Sequence, residues 1–189
     1  MKKAESFVME RYFMRVFSFV LLMLPAGLVQ ASSQQLLDEL AQSPSVQAAK
    51  PIIDALWEAW TNAHMTPKEQ DLMQRGLAAM GQGDFILAES TFGDLVGENP
   101  DFTEAWNKRA TIRFMMGKFE ASRSDVFEVL DREPRHFGAI SGLGMIYMHL
   151  GELDNALQTY RDLQRVFPAS PEAQRYIPVL KRQLGLSDL

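Results

Sequence analysis

The 189 residues carry a net charge of −5, with 47% hydrophobic and 23% charged side chains, ordinary values for a single domain with a real core. No basic block or basic–aromatic alternation is present, which argues against nucleic acid as a partner. Cysteine is absent, which excludes disulfides, thiolate zinc sites, a cysteine nucleophile and lipid anchoring through a cleavage-site cysteine.

At the N-terminus, Lys2, Lys3, Arg11 and Arg15 precede an apolar run from Val16 to Val29 that Pro25 and Gly27 interrupt. Val29 and Ala31 stand at the −3 and −1 positions of a cleavage site before Ser32. This is the order of a secretory signal peptide over residues 1–31, and the apolar run is shorter than the roughly 20 residues a membrane span needs. Met14 is an alternative start that makes the leader more compact, and an uncleaved anchor is the alternative outcome. The leader holds four basic and two acidic residues, so its removal takes the net charge from −5 to −7. With no Asn-x-Ser/Thr sequon either, the expected location is the bacterial periplasm or another export compartment, with a soluble chain and no integral membrane segment after cleavage.

Residues 33–42 predict a short amphipathic helix stopped at Ser43-Pro44. Residues 46–63 predict a longer one, interrupted or started at Lys50-Pro51, with Ile53, Leu56, Trp57 and Trp60 as its apolar stripe. At Thr66-Pro67-Lys68-Glu69 the signals of a helix start coincide: Thr66 as N-cap, Pro67 at the first helical position, Glu69 closing a capping box. A period of 34 residues then sets in. It places Gly83, Gly117 and Gly151 in register, each followed two positions on by Phe85, Phe119 or Leu153. Pro100, Pro134 and Pro168 share the interval, as do Phe92, Val126 and Tyr160. Small residues recur at Ala88, Ser122 and Ala156, and again at Gly76, Ala110 and Gly144. Each late glycine suits the left-handed end of a helix, each proline stops the next helix, and the mid-helix small residues permit close approach.

These units, 69–102, 103–136 and 137–170, resemble tetratricopeptide repeats, each a helix–turn–helix. The third matches best, through Leu143-Gly144, Tyr147, Gly151, Ala156, Tyr160 and Pro168. The second keeps Trp106, Ala110, Gly117 and Pro134 but has Arg109 and Arg113 where Leu and Tyr are usual; the first has Arg75 and Ala79 there. The resemblance implies an all-α fold: a right-handed α-solenoid of three helix–turn–helix repeats, with N-terminal capping helices over 32–68 and a C-terminal capping helix over 171–189. Trp57 and Trp60 are expected to pack on the first repeat. Tyr176, Ile177, Leu180 and Leu184 are expected to cover the third.

The resemblance also implies a site. In this family fixed positions of each first helix line a concave groove. Here they are Gln70, Met73, Leu77, Met80 and Gly81; Glu104, Asn107, Thr111, Phe114 and Met115; and Gly138, Ser141, Met145, Met148 and His149. Of seven methionines beyond the leader, five fall on these fifteen positions, where random placement would put about one. Methionine is flexible and polarizable and suits varied apolar partners. The expected partner-binding groove is therefore Met73, Leu77, Met80, Phe114, Met115, Met145, Met148 and His149, bordered by Glu104, Asn107, Thr111 and Ser141. It would hold a peptide segment or amphipathic helix of another protein, as a scaffold or chaperone-like adaptor.

Two other expectations stand beside it. One is self-association, with the groove filled by the N-terminal helix of residues 33–42. The other is Cu(I) handling, for which Met145-x-x-Met148-His149 has soft-ligand spacing. Members of the family that hold an acidic C-terminal tail use a Lys/Asn clamp; Met73, Leu77, Lys108, Gly138 and Gly142 occupy those places here, so that mode is not expected. Arg109 and Arg113, one turn apart, are expected to pair with an acid such as Glu89, Asp94 or Asp125 instead of binding an anion. His64 and His136, at helix ends, are expected to be solvated. No glycine-rich phosphate loop, His-Glu-x-x-His or Gly-x-Ser-x-Gly is present, so neither an enzyme nor a cofactor is implied.

Overall fold

The computed structural model describes residues 26–61 and 65–186; most of the leader, His64 and residues 187–189 lie outside the described residues. Those described form helices and no strands: α1 (Ala26–Ala41), α2 (Val46–Thr61), α3 (Pro67–Gln82), α4 (Phe85–Glu98), α5 (Thr103–Met115), α6 (Phe119–Arg132), α7 (Phe137–Leu150), α8 (Leu153–Val166) and α9 (Pro171–Gln183). None of these helices is long and apolar enough to cross a membrane.

Local chemistry sets the helix ends. Thr66 accepts from the Glu69 N–H, and the Glu69 carboxylate accepts from the Thr66 N–H at 2.6 Å, a complete capping box that holds the Glu69 carboxyl below its usual range. Gly83, Gly117 and Gly151 sit at φ 77°, 72° and 75°, the left-handed turn between paired helices. α2 runs through Pro51 instead of starting there, losing one backbone hydrogen bond near its first turn. α1 begins at Ala26, ahead of the expected start, and continues through Ala31–Ser32.

Three helix pairs, α3–α4, α5–α6 and α7–α8, stack in sequence, and the core is a chain of clusters instead of one centre. Phe92, Leu95 and Ile112 belong to the first cluster, Val129 and Ile146 to the second, Tyr160 and Leu163 to the third. Trp106 packs against the first and second; Leu130 and Tyr147 join the second to the third.

The mid-helix small residues have a specific reason. A Cβ on Gly76 would meet the Phe92 ring at 2.7 Å, and one on Gly144 would meet the Tyr160 ring at 2.6 Å. In the middle pair Ala110 faces the same register with Val126, so a larger first residue goes with a smaller second one. Gly144→Ala is expected to lower stability by about 1–3 kcal/mol through overpacking of Tyr160, which is fully buried. Gly144→Ala combined with Tyr160→Val should recover part of that loss in urea melts; no recovery would remove the volume-exchange explanation.

The N-terminal helices do not cap the first repeat. Leu37 and Leu40 of α1 and Ala49, Leu56 and Trp60 of α2 join the third cluster, with Phe137, Leu157, Tyr160 and Leu163. Polar contacts hold them there: Arg135 bonds Asp38 at 2.6 Å, and Gln34 donates to Glu133 at 3.2 Å. Trp57 and Trp60 therefore pack around His136 and Phe137 at the start of α7. An amphipathic stripe states how much surface a helix must bury, not which surface it will meet, and the third pair offers the partner for it.

Candidate functional site

α5 and α7 present their first-helix faces side by side, and α2 shares the wall with them. Between them lies a cavity of about 430 Å³. From α5 it is lined by Asn107, Thr111 and Phe114, and from α7 by Gly138, Ser141, Gly142 and Met145. α2 contributes Val46, Ile53 and Trp57, and the start of α9 contributes Ser170, Pro171 and Glu172. The lining is largely apolar, with a few polar groups that would fix orientation.

Of the twelve expected groove residues, Asn107, Thr111, Phe114, Ser141 and Met145 are brought together here. The other seven are distributed differently. Met73 is buried in the first cluster, with Met80 packed against it. Leu77 and Met115 are exposed, at 38% and 51%. Met148 packs against the third cluster. The His149 ring stacks on Phe119 at 4.7 Å and meets Phe114 edge-on at 5.1 Å. Met145 thus lines the cavity, Met148 packs against the third cluster and His149 lies against Phe114 and Phe119. Sequence reasoning missed the α2 and α9 walls. The available signal was Gly138 and Gly142, two glycines on one helical face without an assigned neighbour.

Glu104 does not border the groove; it is fully buried beneath it. One of its oxygens accepts from Asn107 at 3.0 Å and faces His136 Nε2 at 3.3 Å, while Lys108 Nζ stands 2.5 Å from the other. His136, expected to be solvated, is buried as the N-cap of α7: its Nδ1 accepts from the Ala139 N–H at 3.1 Å, which assigns the ring proton to Nε2 and points it at Glu104. Trp60 stacks on His136 at 4.1 Å and Lys108 lies 5.1 Å above Trp57, so α2 helps to cover Glu104 and His136, both fully buried. Burial alone would raise the Glu104 carboxyl; the His136 hydrogen bond and the Lys108 charge outweigh it and hold the group below its usual range.

A carboxyl depressed on folding contributes stability above its unfolded pKa and loses it as pH falls through the folded value. Wild-type stability is therefore expected to decline on acidification below about pH 4.5. Glu104→Gln should flatten that decline. Identical acid limbs for the two proteins in urea titrations would remove Glu104 from the account.

Arg109 and Arg113 form an ion-pair network with no open anion site. Arg109 grips Asp125 bidentately at 2.8 and 2.9 Å. Arg113 bonds Asp125 at 2.8 Å and Glu89 at 3.0 Å. Asp94 stays exposed. Arg75 pairs along its own helix with Asp71 at 3.5 Å.

The pattern match to known repeats agrees with this geometry: residues 73–133 and 109–173 match the Tetratricopeptide repeat family. The chain belongs to that family. A TPR repeat-containing protein of Rhizobium etli is 30% identical over 151 residues, 80% of this chain and 74% of the relative. Among solved structures, the first tetratricopeptide domain of Spaghetti bound to the HSP90 peptide SRMEEVD superposes with a TM-score of 0.61 at 21% identity, covering 64% of this chain and 96% of that one. MamA from Desulfovibrio magneticus RS-1 superposes with a TM-score of 0.59 at 16% identity, covering 85% of this chain and 86% of MamA. At these identities the two structures share the tetratricopeptide fold with this chain and nothing narrower.

Proposed function

We propose that this tetratricopeptide protein is a binding scaffold of an export compartment, holding an apolar segment of another protein between α5 and α7. The observation that carries the reading is the apolar cavity of about 430 Å³ on the first-helix faces of the second and third repeats. That the Spaghetti domain, of the same fold, is bound to a peptide supports a peptide-binding reading. The chemistry differs, however: an acidic tail needs cations, and the residues lining the cavity include neither lysine nor arginine. The export compartment follows from the leader of residues 1–31.

A photo-crosslinking residue at Met145, with a control at exposed Arg182, tests this in living cells. One discrete protein captured from Met145 and not from Arg182 is the expected result. Capture of only residues 46–61 of the same chain would mean that the cavity serves internal packing, and the scaffold reading would fail.

One observation favours a second reading, self-association. α2 already occupies part of the groove, so the α1–α2 hairpin of a second copy can take the same seat. Sedimentation of the full chain over a wide concentration range distinguishes the two: a monomer throughout removes this reading.

A further inference from the structure

We infer that the cavity takes one bulky apolar side chain from an extended segment of the partner, with a basic residue beside it, while α2 stays in place as the far wall. The inference rests on the scaffold reading above and specifies the partner's chemistry.

Size comes first. A helix with its side chains is about 10–12 Å across and rises about 5.4 Å per turn, so a single turn fills roughly 400–600 Å³. The cavity, at about 430 Å³, is comparable with one such turn and not with the several turns of a docked helix. The groove already has its helix: the Trp57 indole sits where a Cβ on Gly138 would come within 2.7 Å. That helix is not loosely placed, because Ala49 and Leu56 are fully buried and share a cluster with Leu37, Leu40 and Leu163. Moving α2 aside would open that cluster to water, so a partner meets only the remaining space.

Gly142 marks where the side chain enters. It lines the cavity, and a Cβ built there would have nothing within 4 Å. Glycine weakens a helix interior. At Gly76, Gly138 and Gly144 an aromatic ring of this chain needs the room, whereas at Gly142, as at Gly81 and Gly97, no group of this chain takes it; of these three open glycines only Gly142 lines the cavity.

Charge sets the neighbour. Glu172 is the one charged side chain among the lining residues, and it sits at the start of α9. A segment carrying lysine or arginine next to its apolar anchor complements it, and an acidic segment is disfavoured.

The test uses the full chain and three synthetic probes. The first is a short serine–proline peptide, extended by its prolines, with one tryptophan followed by lysine. The second has glutamate in place of that lysine. The third is a stapled helix with the same tryptophan and lysine. Binding is read by fluorescence anisotropy and by the methyl resonance of Met145. The lysine peptide is expected to shift Met145 and to bind better than the other two. Gly142→Phe should weaken it roughly tenfold or more by filling the pocket. Glu172→Arg should invert the preference between the lysine and glutamate peptides, a readout that holds even if Gly142→Phe fails to fold.

Tighter binding of the stapled helix, with α2 amides losing protection from hydrogen exchange, would overturn the inference and leave the scaffold reading intact. So would a lysine peptide that binds Gly142→Phe as well as wild type. If no probe shifts Met145 and crosslinking from Met145 captures no other protein, both fall together.

Discussion

Asp125→Ala is expected to destabilise the protein by about 3–5 kcal/mol, a large share of the 5–15 kcal/mol typical of a folded domain. Asp125 is 1% exposed and receives both Arg109 and Arg113. Its removal leaves the Arg109 guanidinium, 14% exposed as a side chain, without the carboxylate that balances it. Arg113 retains Glu89, so most of the loss belongs to Arg109. Replacing Arg109 with methionine in the Asp125→Ala protein should therefore restore stability, because an apolar stem suits that site better than an unpaired charge. The check is a four-point urea-unfolding cycle. A loss under 1 kcal/mol for Asp125→Ala, or no recovery in the double variant, would mean that water reaches the pair and that the network is peripheral.

The second large effect lies at the seam between α2 and the repeats. Trp60→Ala is expected to cost about 3–5 kcal/mol by deleting a buried aromatic that stacks on His136 and contacts Trp57 and Phe137. The loss should be local in space, since α1 and α2 bury Leu37, Leu40 and Leu56 in the same cluster. Hydrogen exchange of the α1 and α2 amides should accelerate more than that of α3 and α4, whose cluster is separate. Trp60→Phe provides the contrast. The Trp60 indole N–H is buried with no hydrogen-bond partner among the described residues, so phenylalanine removes an unsatisfied donor while keeping most of the ring. It should cost about 1 kcal/mol or less. Uniform acceleration across all helices in Trp60→Ala would show that the hairpin is not a separate unit.

These two sites also show why the candidate groove was only partly legible. Asn107, Thr111, Phe114, Ser141 and Met145 occupy places that a repeat register assigns, because the same helical geometry recurs every 34 residues. Met73 and Met148 occupy such places too, yet each turns into a core cluster. Methionine bends to whichever apolar surface is nearer, so its position in the repeat does not dictate its surroundings. Glu104 read as a rim acid because no local signal marks a carboxylate for burial. Its partners are Lys108 one turn on, His136 at the head of the next repeat, and the cover of Trp60 from α2, a combination spread over 77 positions.

By itself the sequence determined the all-α repeat architecture, the capping box at Thr66 and Glu69, the left-handed glycines that end the first helices, and the pairing of Arg109 and Arg113 with acids. Each is a local or periodic property, written in residues a few positions apart or one repeat apart. Only the tertiary structure decided which acid takes both arginines, where the α1–α2 hairpin docks, and how much of the groove it leaves open. Those outcomes depend on competition among surfaces distant in sequence. A stripe of Ile53, Leu56, Trp57 and Trp60 would have satisfied its hydrophobic demand on either end of the solenoid. The space above Gly138, the bond from Arg135 to Asp38 and the bond from Gln34 to Glu133 favour the junction of the second and third repeats.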